Sequence, residues 1–319
     1  MPEVVEVCLT ALWLNDELRN TVLSDIKILG GRYSRHTMPG LAEFKKANSY
    51  QIIKIDSKGK FMWFELIDKN NNALYILNKF GLSGEWGFDN QDHSNVEFSI
   101  KDGNKTRNVY FTDPRNFGTI VLTTDINKLN KELDKLGDDL LKTQFTNAEF
   151  YDRIDNYVKR GGKSIIKTRY NKEIIKILMD QTDKNGIGSG LGNYLSVSVL
   201  YHAKISPYTP IGKLHKNKSL ANNLADSIRY VVKFAYLTAN IGYLEHLDQG
   251  MVSFLNKLRK DISKNKNHPY NFQPTIKIKS GEEFKFEVYG QSEDPYGNPV
   301  KADKIIPGRT TYWAPAVQK

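Results

Sequence analysis

An α+β fold is predicted by three changes of texture along the 319 residues. A leading segment has helical spacing, a long run of strands and turns follows, and a helical stretch then gives way to a short β tail. The expected architecture is an N-terminal helix plus a two-layer β-sandwich domain, a helical domain, and a C-terminal β hairpin.

Glu3 to Leu18 reads as the first helix, with Val5, Leu9, Leu12 and Trp13 near one face. From Val22 to about Leu122 the pattern is β. Phe61 to Leu66 and Ala73 to Leu77 are strand-like and are separated by the turn Asp68-Lys69-Asn70-Asn71-Asn72. Val96 to Ile100 and Val109 to Phe111 flank Lys101-Asp102-Gly103-Asn104, a hairpin signal. After Thr124 the spacing becomes helical, over Ile126 to Leu141 and again over Lys172 to Gln181. The Gly-rich stretch Asn185 to Gly192 opens a helix from Asn193 to Ala203, which Pro207 and Pro210 stop. A long helix is expected over Leu220 to Ala239, and Asp261 to Pro274 reads as a linker or flexible loop. The tail returns to β texture at Phe284 to Tyr289 and Thr310 to Trp313, around a turn at Asp294 to Asn298.

Composition narrows the partners. A chain of this length with 39% hydrophobic residues can bury two cores. Its 46 Lys and Arg against 36 acids give a net charge of +10, which suits a polyanion: nucleic acid first, an anionic membrane surface second. The single Cys8 excludes a disulfide framework and a cysteine zinc cluster, and points to a reducing, intracellular location. No apolar run approaches the roughly 18 residues of a membrane span. Acids occupy Glu3 and Glu6, where a signal peptide carries bases. A soluble protein is expected.

Two segments carry chemistry. Pro2 permits removal of Met1, which would expose a secondary amine able to attack an aldehyde carbon and form an iminium. An α-amino group titrates near 7.7–8.0, so about a tenth or more is neutral at physiological pH. Glu3 beside it is placed to move protons. The Gly-rich loop, followed by a helix, offers backbone N–H groups to an anion, or it is simply a connector. It lacks the Gly-Lys-Ser/Thr of a Walker loop and the spacing of a dinucleotide fingerprint. Asn193 either caps the helix or binds a phosphate.

Gly190-Leu191-Gly192-Asn193-Tyr194-Leu195, followed by Tyr201-His202-Ala203-Lys204-Ile205-Ser206-Pro207, resembles the helix–two-turn–helix of the formamidopyrimidine-DNA glycosylase and endonuclease VIII family. Pro2-Glu3 resembles the family's N-terminal nucleophile and glutamate, and Ser57-Lys58-Gly59-Lys60 its β-strand lysine motif. Phe80-Gly81-Leu82-Ser83-Gly84 and Asp113-Pro114-Arg115-Asn116-Phe117-Gly118 resemble its two DNA-intercalating loops. The matches are collinear over essentially the whole chain. Arg309-Thr310-Thr311-Tyr312-Trp313 stands where the family has a phosphate-gripping arginine on a zinc-finger hairpin, and cysteines are missing there. The tail thus resembles the zincless finger of the endonuclease VIII-like branch of eukaryotes and a giant virus. Packing of Phe284, Phe286, Tyr289, Tyr312 and Trp313 would replace the metal.

The resemblance implies a catalytic β-sandwich domain at 1–130, a helix–two-turn–helix domain at 131–275 and the zincless-finger hairpin at 276–319. It implies a monomeric, metal-free and cofactor-free DNA glycosylase and abasic-site lyase of base excision repair, acting on damaged DNA. Pro2, Glu3 and Lys60 would be catalytic. Asn193, Arg309 and His93 would hold phosphates, and Leu82, Arg115 and Phe117 would fill the hole left by a flipped nucleotide. On residue type alone, a solvated strand lysine is the commoner fate for Lys60, a core residue after a Pro-containing turn is the alternative for Phe117, and His93 reads as an ordinary surface histidine. Two departures stand out. Val4-Val5 replaces the Gly-Pro or Leu-Pro of the family's usual start, removing a fixed φ, and Asn116 stands where some relatives carry a second arginine. A non-catalytic nucleic-acid-binding paralogue is the alternative.

Overall fold

The computed structural model of the protein describes residues 2–47, 49–238, 249–263 and 281–319. Its chain divides into two compact units, Met1–Asp134 with Ile241–Asn267, and Lys135–Asn240 with His268–Lys319.

In the first unit, helix α1 (Val4–Leu18) leads into β1 (Val22–Ile28), a short helix α2 (Leu41–Ala47), and strands β2 (Tyr50–Lys58), β3 (Phe61–Ile67) and β4 (Ala73–Lys79). The short β5 (Glu85–Gly87), then β6 (Ser94–Asp102), β7 (Lys105–Thr112) and β8 (Thr119–Thr123) complete the sheet, and α3 (Ile126–Lys135) leaves it. The strands form one eight-stranded antiparallel sheet in the order β5-β7-β6-β1-β2-β3-β4-β8. It folds over on itself at the β1–β2 step, where only Val22 and Leu23 pair with Gln51 and Tyr50. Phe64 on β3 consequently meets Phe98 on β6 at 6.1 Å and Trp86 on β5 at 5.6 Å. Strands three and five places apart in the sheet thus share a core, so the expected two layers are halves of one curled sheet. Helix α1 packs on β2 and β3. It is buried on nearly every side, Val4, Val7, Cys8, Ala11 and Leu14 included, so its apolar residues are not confined to the face the spacing suggests.

The second unit contains α4 (Asn147–Lys159), α5 (Lys163–Tyr170), α6 (Ile174–Leu178), α7 (Asn193–His202), α8 (Ile211–Lys216) and α9 (Lys218–Thr238). Helix α10 (Gln249–Ser263) returns to the first unit, and β9 (Lys301–Ile306) pairs with β10 (Arg309–Trp313) as an antiparallel hairpin. The helix expected over Ile126 to Leu141 stops at Lys135, because Leu136 bridges Thr182 and the Gly137 N–H donates to Gln181 O at 3.0 Å. The one expected over Lys172 to Gln181 shortens to α6, its entrance pinned by Ile174 N–H donating to Thr209 O at 2.8 Å. Of the expected linker, Asp261 to Ser263 end α10 and residues 264–274 lie outside the described residues.

Phe284 to Tyr289 is not a strand. Instead its rings cluster on α7: Tyr194–Phe286 centroids lie 5.3 Å apart and Phe286–Tyr289 5.2 Å, continuing to Tyr312 at 5.4 Å. Two carboxylates tie the hairpin down as well. Asp303 accepts from Trp313 Nε1 at 2.7 Å and Tyr208 Oη at 3.0 Å. Asp294 closes its own turn by accepting from Tyr296 N at 2.9 Å and Asn298 N at 2.8 Å, and reaches α7 through Tyr201 Oη at 3.0 Å. Burial alone would raise the Asp294 pKa, yet the hydrogen bonds from Asn298, Tyr296 and Tyr201 to its charged form outweigh this and lower it.

Two measurements check these packing statements. Phe64→Ala should cost about 3–5 kcal/mol, read as a lower urea midpoint at unchanged slope; a cost below about 1 kcal/mol would mean the layers do not share this core. A depressed Asp294 contributes stability that is fully present above the unfolded value near 3.9 and is lost as pH falls through the folded one. Melting temperature should therefore drop more steeply below about pH 4 in the parent than in Asp294→Asn, with parallel curves contradicting the anchor.

Candidate active site and nucleic-acid interface

Helix α1 starts where the chain starts. Glu3 is its N-cap, with extended backbone at φ −113°, and Glu6 is its third residue. The Glu3 N–H donates to Glu6 Oε2 at 2.6 Å while the Glu6 backbone N–H donates to the Glu3 carboxylate. This reciprocal capping box satisfies two helix-terminal donors and sets both carboxylates at the positive end of the helix dipole. Both side chains are 1% exposed, and Pro2 is buried beside them. Val4 and Val5 occupy the first two helical positions, whose N–H groups lack intrahelical acceptors. The exchange between the two glutamates closes this first turn. Glu6 was missed as a site residue; it stands three residues after the N-cap, where a capping box carries its glutamate, but Glu3 is not one of the usual capping residues.

Lys60 sits in the two-residue turn joining β2 to β3, after Gly59 at φ 57°, a left-handed position suited to glycine. Helix α1 packs on these two strands, so the helix that Glu3 caps and the strands that flank the lysine turn are neighbours.

The structure brings Leu82, Arg115 and Phe117 together. A Cβ on Gly81 (φ 67°) would lie 2.7 Å from the Phe117 carbonyl carbon and from Gly118 N, so glycine is what lets the two loops touch. Phe117 is 59% exposed, which removes its reading as a core residue, and Arg115 is exposed beside it. Leu82 is half-buried. His93 is exposed at φ 68°, and its carbonyl accepts the Asp113 N–H at 3.1 Å, so its turn joins the same cluster. Asn116 (φ 58°) accepts from Asn95 Nδ2 at 3.1 Å.

In the second unit, Asn193 does not cap α7: the N-cap is Gly192. Asn193 Nδ2 donates instead to Thr310 O at 2.8 Å, next to Arg309 at the start of β10, and its Oδ1 is buried with no partner. Asn193 and the Arg309 strand are thus joined, and an amide NH2 retains a second hydrogen for another acceptor. The Gly-rich loop is neither an open anion cradle nor a loose connector. Residues 186–192 are buried, and the N–H groups of Gly186, Ser189 and Gly190 donate to Thr182 O, Asp138 O and Gln181 Oε1. Gln181 Nε2 also holds Leu191 O at 2.8 Å. Among the described residues no group of three or more His, Cys, Asp or Glu is placed to hold a metal ion, and no helix is long and apolar enough to cross a membrane.

Comparison with known proteins places these features in one family. A family model of the formamidopyrimidine-DNA glycosylase N-terminal domain matches residues 1–120, and one of the C-terminal domain matches residues 274–319. A formamidopyrimidine-DNA glycosylase of Prochlorococcus marinus is 26% identical, with 100% of each chain covered. One from Mycoplasma genitalium is 27% identical, covering 67% of this chain and 68% of its own. The fold is shared with the MutM (Fpg) protein of Thermus thermophilus, at TM-score 0.68, 20% identity and coverage of 99% and 98% of the two chains. It is shared too with a Lactococcus lactis Fpg mutant bound to Fapy-dG containing DNA, at TM-score 0.72, 19% identity and 100% of each chain. The chain belongs to the formamidopyrimidine-DNA glycosylase family.

Proposed function

We propose that this protein is a bifunctional DNA glycosylase and abasic-site lyase of base excision repair, using Pro2 as its nucleophile. The observation that carries this reading is the buried Pro2–Glu3 pair fixed at the start of α1 by the Glu3–Glu6 capping box. Similarity to proteins solved with Fapy-dG DNA and with abasic-site DNA supports it.

Removal of Met1 turns the Pro2 nitrogen from an amide into a secondary amine. Once the damaged nucleotide is extruded, the Pro2 lone pair attacks C1′ and the base leaves with the C1′–N bond electrons and a proton. Glu3 protonates the ring oxygen as the sugar opens, giving an iminium between Pro2 and C1′. The iminium acidifies C2′–H. Its loss expels the 3′ phosphate, a second elimination expels the 5′ phosphate, and water releases Pro2. Lys60, Asn193, Arg309 and His93 hold phosphates around the lesion, while Leu82, Arg115 and Phe117 fill the vacancy in the stack. Oxidised pyrimidines and ring-opened purines are the substrate class. The lack of cysteines in the hairpin segment supports a reading within the zincless-finger, endonuclease VIII-like branch, and we read the chain as a monomer with domains at 1–130, 131–275 and 276–319.

Borohydride reduction in the presence of abasic-site DNA should trap a covalent adduct, absent in Pro2→Ala and in protein retaining Met1. An adduct undiminished by either change refutes the Pro2 assignment, and DNA binding without any adduct identifies a binding-only paralogue. Arg309→Ala should weaken DNA binding regardless of sequence and flatten the log–log salt dependence by about 0.9 per lost phosphate contact; an unchanged slope removes Arg309 from the phosphate set.

A further inference from the structure

Asp113 is 1% exposed, and none of the described lysines, arginines or histidines forms an ion pair with it. Neutral donors from two loops converge on its carboxylate instead. Oδ1 accepts from Ser83 Oγ at 2.5 Å and Arg115 N at 3.3 Å, and Oδ2 accepts from Gly118 N at 2.6 Å. Its backbone engages a third segment, donating to His93 O at 3.1 Å and accepting from Asn95 Nδ2 at 2.9 Å. Ser83 adjoins Leu82, and Arg115 to Gly118 carries Phe117. Every group facing the two oxygens donates to them; an asparagine that kept its oxygen on the Gly118 N–H would turn its NH2 toward Ser83 Oγ and the Arg115 N–H, leaving at most one bond, to the hydroxyl oxygen, on that side.

Burying a carboxylate without a cation is costly, and this one does more than close its own turn, because Ser83 Oγ reaches it from a second loop. This one holds a 59% exposed phenylalanine ring and its neighbours in a fixed arrangement, with Asn116 and His93 kept at positive φ. We propose that Asp113 is a positioning residue that clamps the Leu82 loop and the Arg115–Phe117 loop into a single preformed wedge, so that both enter the base stack together. The proposal rests on the reading of Leu82, Arg115 and Phe117 as stack-filling residues. Preorganisation of this kind removes the ordering cost from the binding step.

The test uses full-length protein and a duplex carrying a tetrahydrofuran abasic analogue beside 2-aminopurine, whose fluorescence rises when its neighbour unstacks. Wedge entry is then read without catalysis. Asp113→Asn and Ser83→Ala should each weaken duplex binding about tenfold or more and reduce the fluorescence rise, whereas Ser83→Thr, which keeps the hydroxyl, should behave as the parent. In a Leu82→Ala/Phe117→Ala background, adding Asp113→Asn should cost nothing further. Borohydride trapping on a single-stranded abasic oligonucleotide, which has no paired stack to fill, should survive in Ser83→Ala. Parent-like fluorescence and affinity in Ser83→Ala, or a loss that adds fully to that of the wedge mutations, overturns the clamp. Absence of trapping in the parent alongside the expected fluorescence pattern sinks the Pro2 chemistry and leaves the clamp standing.

Discussion

Two buried glutamates that hydrogen-bond to each other's backbone fix the beginning of this chain. Carboxylates buried to this extent are costly without hydrogen-bond donors, and the exchange supplies a backbone N–H to each. With it, helix-terminal N–H groups and the helix dipole absorb the charge, and the chain enters α1 with one geometry. The proposed chemistry needs that definition, because a nucleophile at a chain terminus is otherwise the least ordered atom in a protein.

Tertiary contacts also hold the C-terminal hairpin. A small two-stranded element is marginal by itself. Here an aromatic cluster running from Tyr194 through Phe286 and Tyr289 to Tyr312 holds one side. Asp294 and Asp303 pin the turn and strand to Tyr201 and Tyr208. Asn193, bonded to Thr310 O, then links the first turn of α7 to the strand that carries Arg309. Two candidate phosphate ligands far apart in sequence are in this way set by one hydrogen bond.

Much of the fold was legible where local chemistry decides it. Asn- and Gly-rich turns marked the hairpins at residues 68–72 and 101–104, and the glycine run with Pro207 and Pro210 bracketed α7. What escaped was decided by tertiary partners. The α3 spacing continues past Lys135, yet a bridge to Thr182 ends the helix; Phe284 to Tyr289 alternates like a strand, yet its rings collapse onto Tyr194. Helices α5 and α8 are too short and polar for periodicity to reveal them, whereas α4 and α10 went unpredicted although Phe150, Ile154 and Tyr157, and Met251, Leu255, Leu258 and Ile262, recur at helical spacing. For the site, residue chemistry raised Pro2, Glu3 and Asn193, and motif resemblance added Lys60 and Arg309. Glu6 and Asp113 came from neither, because their roles lie in which backbone donors surround them, and Asp113 in particular meets Ser83 from thirty residues away.

The central claim concerns one atom, the Pro2 nitrogen, and the most direct measurement locates the bond it forms. Tryptic digestion and tandem mass spectrometry of a reduced enzyme–DNA adduct should place the deoxyribose-derived mass on the peptide from Pro2 to Arg19, at its first residue. The same mass on a lysine side chain, Lys60 included, or on a peptide still carrying Met1, would contradict the account.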